Sequence, residues 1–203
     1  EYLNKGLLLA TLINDKANMG SSYVNLGEVN FEQGKDSAAL YNFFKAKDVL
    51  DPNDEILPYV LNNIGKLFSR KNQSDVALQY HQEALSKSTE IGNKLFMAQS
   101  SLALAQLYRE RGQHEKAREY FEEASTISAE IKAGPELQKA YAGLSESFSI
   151  NNDFRSAYKY SNLSAKLADS LYKYAADSMQ LKYEVGIKEK QIDLLTKDKD
   201  LKD

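Results

Sequence analysis

Histidines, carboxylates, amides and cations are the side chains of this sequence that could do chemistry, and their spacing decides which chemistry. The chain has two histidines and no cysteine, so disulfides, thiolate metal sites and thiol catalysis are excluded. His81 stands where Phe43 and Phe121 stand at matching positions, which reads as a packing role. His114 follows Gly112 and reads as a loop residue. Two histidines so placed make no metal set. The acidic pairs Glu28 with Glu32 and Glu122 with Glu123 read as solvated helix faces. No glycine-rich phosphate loop is present, and no serine has a base beside it in the pattern. Catalysis, cofactors and resident metals are therefore not expected. Amides and cations offer something else. Asn25, Glu28, Asn62, Asn63, Lys66, Gln99, Gln106, Arg109 and Lys139, with Glu146 nearby, flank a recurring apolar anchor. Side-chain amides donate and accept at once, as a peptide backbone does. Lys66, Arg109 and Lys139 add contacts for a carboxylate. That chemistry is ligand binding.

The anchors that carry these residues are Leu26, Ile64, Leu104 and Leu144, spaced 38, 40 and 40 apart. Gly27, Gly65, Ala105 and Ser145 follow one residue later, and Ala39, Ala77, Ala117 and Ala157 thirteen residues later. Gly34, Asn72, Gly112 and Asn152 lie eight residues after the anchors. Gly and Asn accept the left-handed backbone that ends a helix. Between breaks, apolar residues recur at steps of three and four, so each unit is a pair of amphipathic helices. A period near 40 residues means a solenoid whose units bury their apolar faces only on each other. Asp36, Ser74 and Asp153 are candidate N-caps. Turns are expected at Asp51-Pro52-Asn53-Asp54, near Gly92-Asn93 and at Gly134-Pro135.

The fold class read from this pattern is all-α, a right-handed superhelix of about four and a half helical hairpins with a long C-terminal helix. Residues 1–18 read as the second helix of a truncated unit. Units follow at 19–53, 54–93, 94–133 and 134–170, with a capping or connector helix at 171–203. Ile187, Leu194 and Leu201 are seven apart, a candidate dimer or connector seam.

Composition agrees with a folded binding module. The 203 residues are 42% hydrophobic and 27% charged, with net charge −3. A mildly acidic chain without a basic block carries no footprint for nucleic acid or anionic lipid. No apolar run is long enough to span a membrane, so a membrane would be met only through other segments. The chain opens mid-pattern on Glu1, as a fragment or processed product would.

Leu26-Gly27, the later Gly34, Ala39 with its following aromatics, Ala46, and Asp51-Pro52-Asn53 resemble the tetratricopeptide repeat, and the likeness covers roughly residues 1–170. It implies a helical solenoid whose concave groove takes a protein or peptide. Linkers such as Ser88 to Lys94, followed by Leu181-Lys182-Tyr183-Glu184 and Lys188 to Leu195, resemble the repeat arrays of Bacteroidetes signalling proteins. That implies the sensor region of a membrane-bound protein such as a two-component histidine kinase, on the periplasmic side. The signal would pass through the C-terminal helix. A cytoplasmic adaptor or repeat-containing transcriptional regulator is the other reading.

Overall fold

A computed structural model describes residues 2 to 200, with side chains up to Gln191. Among the described residues the chain forms α1 (Tyr2–Leu12), α2 (Lys16–Glu32), α3 (Asp36–Val49), α4 (Leu57–Arg70), α5 (Ser74–Ile91), α6 (Lys94–Glu110), α7 (His114–Glu130), α8 (Gly134–Ile150) and α9 (Phe154–Asp200). Each helix packs on its sequence neighbours. In addition α4 meets α6 and α6 meets α8, so these helices form an inner layer, with α3, α5 and α7 outside.

The breaks behave as the residue types require. Gly34, Asn72, Gly112 and Asn152 all have positive φ, between 57° and 71°. Asn14 and Gly92 also turn left-handed. The turn into α8 differs from expectation. Gly134 opens the helix, and the left-handed residue is Lys132, at φ 56°. A lysine there carries the steric cost that glycine avoids. Caps also differ. Asp153 caps α9 by accepting from the Ser156 N–H at 3.1 Å. Asp36 and Ser74 are instead the first residues of their helices, and Asp36 pairs with Arg70. Asp15 and Asn93 are the further caps, accepting from the N–H groups of Asn18 and Phe96.

Ile64, Leu104 and Leu144 are fully buried. Leu26 is only half-buried, on α2 beside α1, where Leu8, Leu9 and Leu12 are exposed, as is Ile13 just after it. The helices approach closely at small residues. A Cβ added to Gly65 would lie 2.6–2.8 Å from ring atoms of His81, and one on Gly27 would lie 2.7 Å from Phe43. Gly143 lies against Phe121 in the same way. His81 thus occupies the structural place of a phenylalanine.

From Phe154 one helix runs unbroken to Asp200. Its first turns pack on α8. Past Leu171 it leaves Tyr172, Tyr174, Met179, Leu181, Tyr183, Val185 and Ile187 exposed. Of the expected seam, Ile187 is among these residues. The Leu194 side chain and Leu201 lie outside the described residues. No described helix is long and apolar enough to cross a membrane.

Candidate functional site

The inner helices α4, α6 and α8 enclose a groove of about 480 Å³. Five of the predicted ligand-facing residues line it: Lys66, Gln99, Gln106, Arg109 and Lys139, together with Glu146. They meet because each lies near a recurring anchor, so the same flank of α4, α6 and α8 repeats across the layer. Tyr59, Leu102 and Ala142 also line the groove and were not picked out by sequence. Tyr59 and Phe96 stack obliquely at 6.0 Å across α4 and α6.

Four predicted residues lie elsewhere. Asn62 and Asn63 do not project into the groove, because they are 3% and 5% exposed. Helix α4 is packed by α3, α5 and α6 together, and Val60 to Gly65 are all buried. Asn62 donates from Nδ2 to Ser100 Oγ at 2.8 Å, and its Oδ1 lies 3.0 Å from His81 Nδ1. Asn63 donates to the Tyr59 carbonyl at 3.0 Å. The legible sign was polar His81 at an interior position, which demands a buried partner. Glu28 accepts from the Tyr59 hydroxyl at 2.5 Å, tying α2 to α4. Burial, then this carboxylate, pushes the Tyr59 phenol up to about 12. Asn25 is exposed on α2, outside the residues lining the groove.

Charges in the groove are unequal. Arg109 pairs with Glu146 across α6 and α8, and Gln99 donates to Glu136 at 2.9 Å. Lys66 has only a long contact, 3.4 Å, to Asn63 Oδ1. Among the described residues no ion pair engages Lys66 or Lys139. Lys66 and Lys139 are both exposed to solvent, and both line the concavity. Desolvation there, then the charges of Lys139 and Arg70, pushes its pKa below the usual value. Two ammonium groups lining one concave site favour an anionic group between them. No group of described histidine, aspartate and glutamate side chains could hold a metal ion.

Residues 56–130 match the tetratricopeptide repeat family model. These residues cover α4 to α7, the centre of the array. Among solved structures, aspartyl phosphate phosphatase F from Bacillus subtilis superimposes with a TM-score of 0.75 at 14% identity, over 84% of this chain and 45% of that one. A signal transduction ATPase with numerous domains and a tetratricopeptide repeat sensor, from Pyrococcus horikoshii, gives 0.71 at 25% identity, over 83% and 27%. The fold is a right-handed tetratricopeptide-repeat solenoid. A Rap conjugation gene regulator of plasmid pLS20, solved with the Phr* peptide, gives 0.61 at 18% identity, over 75% and 43%. The chain spans less than half the length of each of these three proteins. No curated protein matches it. In repeat terms, α4, α6 and α8 are the first helices of successive hairpins, and the groove lies on their shared inner face.

Proposed function

We propose that this chain is a protein- or peptide-binding module whose ligand lies along the groove of α4, α6 and α8. The observation that carries the reading is the pair of lysines, Lys66 and Lys139, lining one concave site with no ion pair to either among the described residues. An acidic group of the ligand relieves their repulsion. The amide of Gln106 and the Tyr59 ring supply polar and apolar contacts beside it. A similar solenoid binds the Phr* peptide, which supports an extended peptide as ligand.

The wider role we propose is the sensor region of a membrane-bound signalling protein, on the periplasmic side, with a two-component histidine kinase as the output. Two features support it. Helix α9 is one 47-residue rod that begins against α8 and continues beyond it, a geometry that carries a displacement outward. A similar solenoid is the sensor of a signal transduction ATPase. Exposed Ile187, which with Leu194 and Leu201 forms a seven-residue spacing in the sequence, would let two such rods pair. Binding shifts an equilibrium only if the ligand prefers one arrangement of the solenoid.

Selection of acidic peptides from a random display library on the folded chain tests the binding role. Lys66→Ala with Lys139→Ala should weaken the selected peptide at least tenfold, about 1.4 kcal/mol. Unchanged affinity in a folded double variant places the ligand elsewhere. Sequencing the gene around this segment tests the sensor role: an apolar stretch of about 20 residues beside it supports a tethered sensor, and a free-standing reading frame opposes it.

A further inference from the structure

Next to the groove lies a second, open cavity of about 190 Å³, lined by Lys66, Ser69, His81, Ala103, Gln106 and Glu110 among others. It is smaller than the clefts that hold whole small-molecule ligands, and it suits the tip of one side chain. Lys66, Ala103 and Gln106 line both spaces, so a ligand in the groove can lower a side chain into this one.

The protonation of His81 follows from its neighbours. Ser100 Oγ donates to the Phe96 carbonyl at 2.7 Å, so its oxygen is free to accept. Asn62 therefore turns its amide nitrogen toward Ser100 and its oxygen toward His81. An amide oxygen only accepts, so His81 Nδ1 carries the proton and Nε2 carries a lone pair. His81 is 2% exposed, and Nε2 has no partner among the described residues. Nε2 is also not sealed in the core, because sealed unpartnered atoms are confined to Arg118 and Ser128 among the described residues. Burial, then the charge of Lys66, holds the imidazole pKa down to about 4, so the lone pair persists at neutral pH.

Packing alone does not require a histidine here. Phe43 fills the same role under Gly27, and Phe121 against Gly143. A histidine in that role needs the buried chain through Asn62 and Ser100 to satisfy it. The cavity is lined by the donor-only ammonium side chain of Lys66, by the imidazole of His81, whose Nε2 has no partner among the described residues, and by Glu110, whose carboxylate accepts from Gln106 at 2.9 Å. A carboxylate could meet Lys66 but would face two acceptors. A cation could meet Glu110 but would face Lys66. A carboxamide satisfies both sides, with its oxygen toward Lys66 and its N–H2 toward Nε2.

We infer that this cavity is a side-chain subsite that reads a neutral carboxamide, as on glutamine or asparagine, with His81 as the specificity-determining acceptor. The inference rests on the groove's role in binding peptides, but its test does not need a peptide. The probes are N-acetylglutamine methylamide and N-acetylglutamate methylamide, titrated into the nitrogen-15-labelled chain while the imidazole nitrogens are followed by NMR. The free protein should show the Nδ1–H tautomer at His81. The glutamine probe should move Nε2 saturably and the glutamate probe should bind at least tenfold more weakly; in His81→Phe, with binding followed at the backbone amides of α4 and α6, the glutamine probe should lose that preference. An Nε2–H tautomer, equal response to both probes, or no response to either (a cavity holding water only) overturns the subsite. If selected peptides bind while the probes fail, the groove reading stands without it. If the probes succeed while no peptide binds, the reverse holds.

Discussion

Acid should unfold this protein earlier than a variant without His81, and the size of the effect follows from where that ring sits. In the unfolded chain an imidazole takes a proton near pH 6.5. In the fold, desolvation under Gly65 and the nearby Lys66 charge delay protonation to about pH 4. The folded pKa is depressed, so the unfolded state binds more protons between these values. The contribution is whole above pH 6.5 and is lost as pH falls toward 4. At 1.36 kcal/mol per unit, the full loss is about 3 kcal/mol, of which about 2 kcal/mol is gone by pH 5. Asp15, Glu90 and Asp153 are held below their ordinary values by donors from Asn18, Lys87 and Ser156, so their contributions fade only at lower pH. The assay is urea unfolding of the wild-type chain and His81→Phe at pH 7.5 and pH 5.0, comparing the two pH effects. Solenoids can depart from two-state unfolding, so the difference between proteins is the quantity to read. Wild type should lose about 2 kcal/mol more than the variant over this interval. Equal losses would refute the buried, neutral histidine and the tautomer argument built on it.

Gly143→Ala should cost about 1–3 kcal/mol, because the new methyl collides with the Phe121 ring between packed helices; unfolding midpoints check this. Lys132→Gly should stabilise by about 1 kcal/mol, since Lys132 adopts a left-handed conformation that glycine enters freely; a lower melting temperature would contradict it. Asn62→Ala should destabilise by about 1–3 kcal/mol by stranding the His81 Nδ1 proton, with circular dichroism melts as the readout.

Much of this architecture is legible in the sequence because a repeat states its rules several times. Ile64, Leu104 and Leu144 sit at the period and are buried, and the left-handed residues fall at Gly34, Asn72, Gly112 and Asn152. The last inter-hairpin turn was obscured because lysine, not glycine, takes the left-handed position, so the visible Gly134-Pro135 pointed two residues too far along. Groove cations such as Lys66, Arg109 and Lys139 were legible from their offset to the anchors. Asn62 and Asn63 were misplaced because periodicity locates a helix face but does not say how many neighbours cover it. Helix α4, packed by α3, α5 and α6, keeps both asparagines inside. The cavity over His81 was invisible for a related reason. A histidine at a phenylalanine position reads as filling, and only the geometry of Asn62 and Ser100 assigns its proton.

The central claim is that the inner face of α4, α6 and α8 holds the ligand. The most direct test is to place the photo-crosslinking residue p-benzoylphenylalanine at exposed Ala142 in the groove, and separately at exposed Glu83 on outer helix α5. Each chain is then irradiated with a display-selected acidic peptide at the same occupancy. The account predicts efficient cross-linking from Ala142, its loss with Lys66→Ala and Lys139→Ala, and background only from Glu83. Cross-linking from Glu83, or none from Ala142 with a peptide that demonstrably binds, would contradict it.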